Sequence, residues 1–218
     1  MGQMNRMSAR VGRSGARLGG QLVVLVALLV ATTGVGTASA ATLASDDFED
    51  GNAAGWTTTG GTWIVTREES RVLRQSSFAA NALARTGQPG WRDYTVVAEV
   101  RPDSFNGMPG FVGIVARAQS TTTFYALVLR PNNTVALTRT VEGRSSTLAS
   151  APMTVSTDRS YTLALRTAGR TLTGSVGGTR LTASDGFILT GPAGLVTTWA
   201  TASFDNVSVD TDTDTPAR

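Results

Sequence analysis

The chain has 218 residues, enough for one domain with a sizeable core. It contains neither cysteine nor histidine, which excludes disulfides, thiolate nucleophiles, Cys/His zinc sites and histidine-based triads. The formal net charge of +3 is a property of the N-terminus: four of the 19 basic residues (Arg6, Arg10, Arg13, Arg17) lie within the first 40 residues, and the remaining 15 face 16 acidic residues, a net −1 that gives no reason to expect nucleic acid.

Residues 1–40 read as a secretory signal peptide. The four arginines form a positive n-region, LVVLVALLV at residues 22–30 is a short apolar run, and Ala38-Ser39-Ala40 supplies a small-residue cleavage site. The apolar run is about half of the ~20 residues that a membrane span needs. Cleavage near Ala41 is therefore expected, with an extracellular product and no membrane association after cleavage. No Arg-Arg pair precedes the run, which points to the general secretion route.

From Ala41 onward the pattern is that of short strands. DDFEDG at residues 46–51 opens the domain, followed by Trp56 and the turn-rich TTTGGT. Strands are predicted at residues 63–67, 71–76 and 82–86. A central block follows, in which WRDYTVVAEVRP, GFVGIVARAQ and TFYALVLRPNNTVALTRT alternate apolar and polar residues with period two. It predicts four consecutive antiparallel strands over residues 91–139. Further strands are predicted at 144–150, 160–167, 170–176 (paired with 160–167 across Ala168-Gly169), after the Gly177-Gly178 turn, and at 193–199 and 202–210. No segment carries a sustained helical period, so the fold class is all-β. The domain is placed at residues 41–210, and 211–218 (TDTDTPAR) is expected to be a disordered tail.

If the four central strands pair in order, alternation divides them into two faces. With Arg101 opposite Phe111, Arg117 opposite Phe124 and Val128 opposite Ala136, one face is continuously apolar, running from Tyr94 to Leu137. The other collects Glu99, Arg101, Phe111, Arg117, Phe124 and Arg130, with Gly113 leaving room for a ligand near the backbone. Planar donors and acceptors beside flat apolar groups suit sugar hydroxyls and the C–H faces of sugar rings. Arginine forks also suit the carboxylate of a uronic acid. The plainer reading is a solvated face of cross-strand ion pairs, each contributing ~0–1 kcal/mol. Among the tryptophans, burial is the ordinary fate, but Trp91 and Trp199 lie near strand ends and are candidates for an edge-loop site.

The ordered motifs DDFEDG, WRDYTVVAEVRP, FVGIVARAQ, YTLALRTAGRTLTGSVGG and GPAGLVTTWATASFDNVSV resemble a concanavalin A-like jelly roll. In particular they resemble the laminin-G-like modules attached to secreted bacterial pectate lyases and glycoside hydrolases. The resemblance implies a two-sheet antiparallel sandwich, sugar binding on the concave sheet or its edge loops, and a structural Ca²⁺ for which Asp47 and Asp205 are the favoured ligands. One departure is Gly177, where the family usually has an acidic residue.

The function this implies is a secreted, monomeric, non-catalytic carbohydrate-binding module for a polysaccharide, with uronate-containing chains among the candidates. A cell-surface adhesion domain that binds protein is the first alternative. A glycosidase or lyase is the second, and it is disfavoured because the central strand TVVAEVRP carries Glu99 alone where a family-16 glucanase has Glu-x-Asp-x-Glu.

Overall fold

The computed structural model describes residues 40–212, and no helix is found among them. Fifteen strands follow one another: β1 (Thr42–Asp46), β2 (Thr57–Thr59), β3 (Trp63–Arg67), β4 (Arg71–Gln75), β5 (Ala82–Thr86), β6 (Tyr94–Phe105), β7 (Phe111–Ser120) and β8 (Thr123–Arg130). Then come β9 (Thr134–Val141), β10 (Arg144–Pro152), β11 (Tyr161–Ala168), β12 (Thr171–Val176), β13 (Thr179–Ser184), β14 (Ala193–Thr198) and β15 (Ala200–Thr211). They form two antiparallel sheets. Sheet A runs β13-β12-β11-β6-β15-β4-β3, with β1 also pairing β15, and sheet B runs β10-β9-β8-β7-β14-β5-β2. The all-β sandwich expected from the sequence is the fold observed.

The central block is divided differently from the expectation. Strands β7, β8 and β9 pair in sequence order, and Val128 does face Ala136. Strand β6, however, does not pair with β7: it lies in sheet A between β11 and β15. The expected Arg101–Phe111 register therefore does not exist. The physical reason is that alternation fixes which face of a strand is apolar but not which strand lies beside it. The apolar residues of β6 (Tyr94, Val96, Ala98, Val100) do share a core with those of β7–β9 (Ile114, Leu127, Leu137), but they meet across the sandwich and not along one sheet. Leu163 and Leu165 of β11 flank β6 in its own sheet, and Leu172 of β12 lies one strand further out.

Two further details position the functional surface. The N- and C-terminal strands are neighbours, with Asp46 opposite Val207. Strand β15 bulges between Asp205 and Ser208, where Asn206 takes φ +49°, so its edge holds β4 through residues 202–204 and β1 beyond the bulge. Gly177 and Gly178 form the two-residue turn between β12 and β13 with φ +53° and +83°, backbone that glycine adopts at no steric cost. The preceding turn is Gly169-Arg170, one residue later than expected, because Ala168 already pairs with Thr171.

The last strand extends through Thr211, and the Asp212 carboxylate accepts two hydrogen bonds from Arg166, at 2.9 and 2.8 Å. The rest of the expected tail and residues 1–39 of the expected leader lie outside the described residues.

Candidate functional site

Because β6 and β7 belong to different sheets, the expected binding face separates into two, on opposite sides of the sandwich. On the outer face of sheet A, Glu99 and Arg101 project from β6. Register places Glu99 opposite Asp205 and Arg101 opposite Ser203 of β15. The turn between β3 and β4 brings Glu68, Glu69 and Ser70 to the same place, and the segment before β11 brings Asp158. Together they line a cleft of about 180 Å³.

Arg101 is fixed from two sides: its Nη2 donates to Glu68 Oε2 at 2.6 Å and to Asp103 Oδ1 at 3.2 Å. Glu68 also accepts from Ser203 Oγ at 2.7 Å, and Asp103 accepts from Arg74 Nε at 3.0 Å. Arg101 Nε is buried without a hydrogen-bond partner among the described residues. Opposite, Asp205 accepts from Ser70 Oγ at 2.6 Å and from the Asn206 backbone N–H at 2.7 Å. Glu99 is different: its carboxylate has no hydrogen-bond or ion-pair partner among the described residues. Two carboxylates directly opposite each other on neighbouring strands repel, a destabilising arrangement unless something else engages them. Five carboxylates and one guanidinium line the cleft, so its field is strongly negative.

On the outer face of sheet B, Phe111 of β7 and Phe124 and Arg130 of β8 meet Trp199, from the β14–β15 connection, and Met108. They line a groove of about 600 Å³. Below it, Val115, Ala126, Val128, Ala136 and Val196 form a second apolar cluster, separate from the inter-sheet core. Trp199 has φ +47°, and both its backbone groups are engaged: its N–H donates to Ala79 O and its carbonyl accepts from Asn106 N–H, each at 2.8 Å. Burial holds the Arg130 guanidinium below its ordinary pKa, and its Nη2 donates to Thr147 Oγ1 at 3.2 Å.

Arg117 belongs to neither site. The β7–β8 register shifts between Ala116 and Ser120, and Arg117 takes φ +50°, which removes it from the alternation that the sequence suggests. Its side chain is 1% exposed. Nε donates to Arg92 O at 2.9 Å, Nη1 to Gly169 O and Ile188 O at 2.9 and 3.1 Å, and Nη2 to Asp93 Oδ1 at 3.1 Å. Burial lowers its pKa and Asp93 opposes that. Arg117 is thus a structural plug at one end of the sandwich.

Trp91 is structural as well. It packs on the core, edge-on to Tyr94 with ring centroids 5.9 Å apart, and a Cβ on Gly87 would strike its ring. Gly113 admits a strand and not a ligand, because a Cβ there would strike the carbonyl oxygen of Leu127 on β8. Trp199 alone of the two edge candidates lines a cavity and is substantially exposed, at 38%.

The calcium pair fares differently from its expectation. Asp205 lines the sheet A cleft, whereas Asp47 lines a separate cleft with Asp46, Asp50 and Asn206. Asp205 already holds Ser70 and the Asn206 N–H, and Asp46 holds the Phe48 N–H and Trp56 Nε1. Among the described residues no three acidic side chains converge as a metal would require. The two acids do not fit one shared ion.

Sequence reasoning missed Glu68, Ser203 and Asp158 in the sheet A cleft, and Met108 in the sheet B groove. Glu68 lies in a charged turn and Ser203 on a strand near the C-terminus, and only the β6–β15 and β3–β4 pairings bring them to Arg101.

No family model matches the chain. An extracellular exo-α-L-arabinofuranosidase of Streptomyces chartreusis is 32% identical over 142 residues, which is 64% of this chain and 16% of that enzyme, so the chain spans about one sixth of its relative. Among solved structures, the carbohydrate-binding module CBM66 from Bacillus subtilis superposes with a TM-score of 0.64 at 22% identity, over 73% of this chain and 98% of that one. Domain 4 of AbnA, a GH43 extracellular arabinanase from Geobacillus stearothermophilus solved in complex with arabinotriose, gives 0.56 at 13% identity, over 79% and 93%. At these identities the likeness is one of fold, a two-sheet antiparallel β-sandwich.

Proposed function

We propose that this chain is a secreted, non-catalytic carbohydrate-binding module that holds a neutral sugar in the Glu99–Arg101 cleft of sheet A. One observation carries the reading: an unpartnered Glu99 carboxylate stands two residues along β6 from an Arg101 whose orientation Glu68 and Asp103 fix. A carboxylate acceptor and an immobilised guanidinium donor on one strand face are suited to adjacent hydroxyls of a sugar ring. Hydroxyl donors would also relieve the Glu99–Asp205 opposition. The negative lining disfavours a uronate here, so the ligand of this cleft is neutral. The Streptomyces arabinofuranosidase and the AbnA domain in complex with arabinotriose make arabino-oligosaccharides the first probe, and the extracellular setting of the former agrees with the signal peptide read at residues 1–40.

The test is affinity electrophoresis through gels containing arabinan, xylan or fructan, run with the protein and with Glu99→Ala. Retardation by at least one neutral polysaccharide is expected. Hydrogen bonds to a charged group contribute ~1.5–3 kcal/mol, so Glu99→Ala weakens binding by roughly 10- to 100-fold. Equal retardation of both proteins would remove this cleft from the reading. Release of reducing sugar that Glu99→Gln abolishes would make the protein an enzyme.

A further inference from the structure

We infer that the groove on sheet B is a second carbohydrate site, chemically distinct from the first, and that it takes a polysaccharide chain bearing carboxylates. Two kinds of observation support this, and neither depends on the sheet A cleft. The first is apolar surface that a monomer has little reason to expose. Met108 is 59% and Trp199 38% exposed on the groove, and Phe78 is 43% exposed on the segment whose Ala79 carbonyl holds the Trp199 N–H. With the half-buried Phe111, Trp199 and Met108 offer apolar surface for the C–H faces of sugar rings, over a floor that includes the buried Phe124. Trp199 is presented in a fixed orientation because both of its backbone groups are hydrogen-bonded, and a preorganised platform loses little freedom on binding.

The second is charge. Arg130 is the one charged side chain lining the groove among the described residues, and its hydrogen bond goes to the neutral Thr147 hydroxyl. In the sheet A cleft, by contrast, Arg101 already meets two carboxylates. A groove with a guanidinium, no carboxylate and hydroxyls from Thr140 and Ser145 is complementary to a uronate residue. Since the two sites occupy opposite faces of the sandwich, one molecule would hold a neutral and an acidic glycan together.

The experiment is calorimetric titration of the protein with a galacturonate oligomer and with its methyl-esterified, uncharged counterpart. Trp199→Ala, Arg130→Leu and Glu99→Ala are titrated alongside, and each variant's thermal transition is checked for retention of the fold. The acidic oligomer is expected to bind and the esterified one to bind more weakly. Trp199→Ala and Arg130→Leu should each weaken the acidic oligomer by about tenfold or more, the scale of one lost stacking or charge-assisted contact. Glu99→Ala should leave that affinity unchanged. Absence of acidic-oligomer binding, equal binding of the esterified form, or loss of binding in Glu99→Ala would each overturn the inference. Loss of neutral-sugar binding alone would count against the sheet A reading and leave this one standing.

Discussion

Replacing Arg117 separates the structural reading of that residue from the ligand-binding one that alternation alone suggests. In the folded chain its guanidinium satisfies three backbone carbonyls, those of Arg92, Gly169 and Ile188, and pairs with Asp93. Arg117→Ala removes all four contacts at once. An acceptor left unsatisfied in the interior costs ~1–3 kcal/mol, and breaking a buried ion pair costs ~3–5 kcal/mol. Asp93 and Gly169 lie toward the surface, so water re-solvates part of what is lost, and the total is expected at ~3–5 kcal/mol. For a domain of this size that lowers the melting temperature by ~6–20 °C. Arg117→Gly should lose about 1 kcal/mol less, because φ +50° strains any residue with a Cβ. The assay is thermal and urea unfolding followed by circular dichroism, with sugar titration of the folded variant. A variant that melts with the parent protein but has lost its sugar would refute the structural assignment.

Other outcomes follow from the same geometry. Burial, then the hydrogen bond to Asp185, raises the Tyr125 phenol to about 12. An unfolded tyrosine ionises near ~10, so this contribution to stability is complete below about pH 10 and is lost as pH rises through about 12. Tyr125→Phe should flatten that alkaline loss in pH-dependent urea unfolding, and an unchanged slope would contradict it. At the other end, burial alone would raise the Asp185 carboxyl, but hydrogen bonds from Tyr125 and the Phe187 N–H, together with Arg139, hold it low, so its contribution fades as pH falls through and below the ordinary carboxylate range. Gln75 is fully buried and the two N–H groups of its Nε2 are shared among three acceptors, Ser77 O, Thr197 Oγ1 and Ala200 O, so Gln75→Leu should cost ~2–4 kcal/mol by denaturant titration. With Asp47 and Asp205 in separate clefts, EDTA and added calcium should leave the melting temperature within about a degree. A clear calcium-dependent rise would instead show that the cleft shared by Asp47, Asp50 and Asn206 gathers oxygen ligands.

The sequence was most readable where side chains obey a period. Tyr94, Val96, Ala98 and Val100 alternate strictly and are all buried, as are Ile114, Leu127 and Leu137 on their own strands. That information is local, and it predicted the sandwich and the core. Partnership between strands is not local: whether β6 pairs with β7 or with β11 and β15 depends on where the chain crosses between layers, and both solutions bury the same residues. Glu99 and Arg101 were therefore assigned to a common strand face with Phe124 and Arg130, when they stand on the far side of the molecule. Arg117 was misplaced for a second reason: a bulge and one positive φ redirect a side chain, and a non-glycine residue carries no signature of that in its name. Trp199 could be singled out from its place near a strand end, but Glu68 could not be singled out at all, because its role exists only through the β3–β4 turn folding over β6.

The most direct measurement of the central claim is a crystal structure of the protein with a neutral arabino-oligosaccharide. The expected result is a sugar ring on the outer face of sheet A, with hydroxyls within hydrogen-bonding distance of Glu99 and Arg101 and with Trp91 and Arg117 untouched. A sugar bound only over Trp199 and Phe124 on sheet B, with the Glu99 cleft holding none, would contradict it.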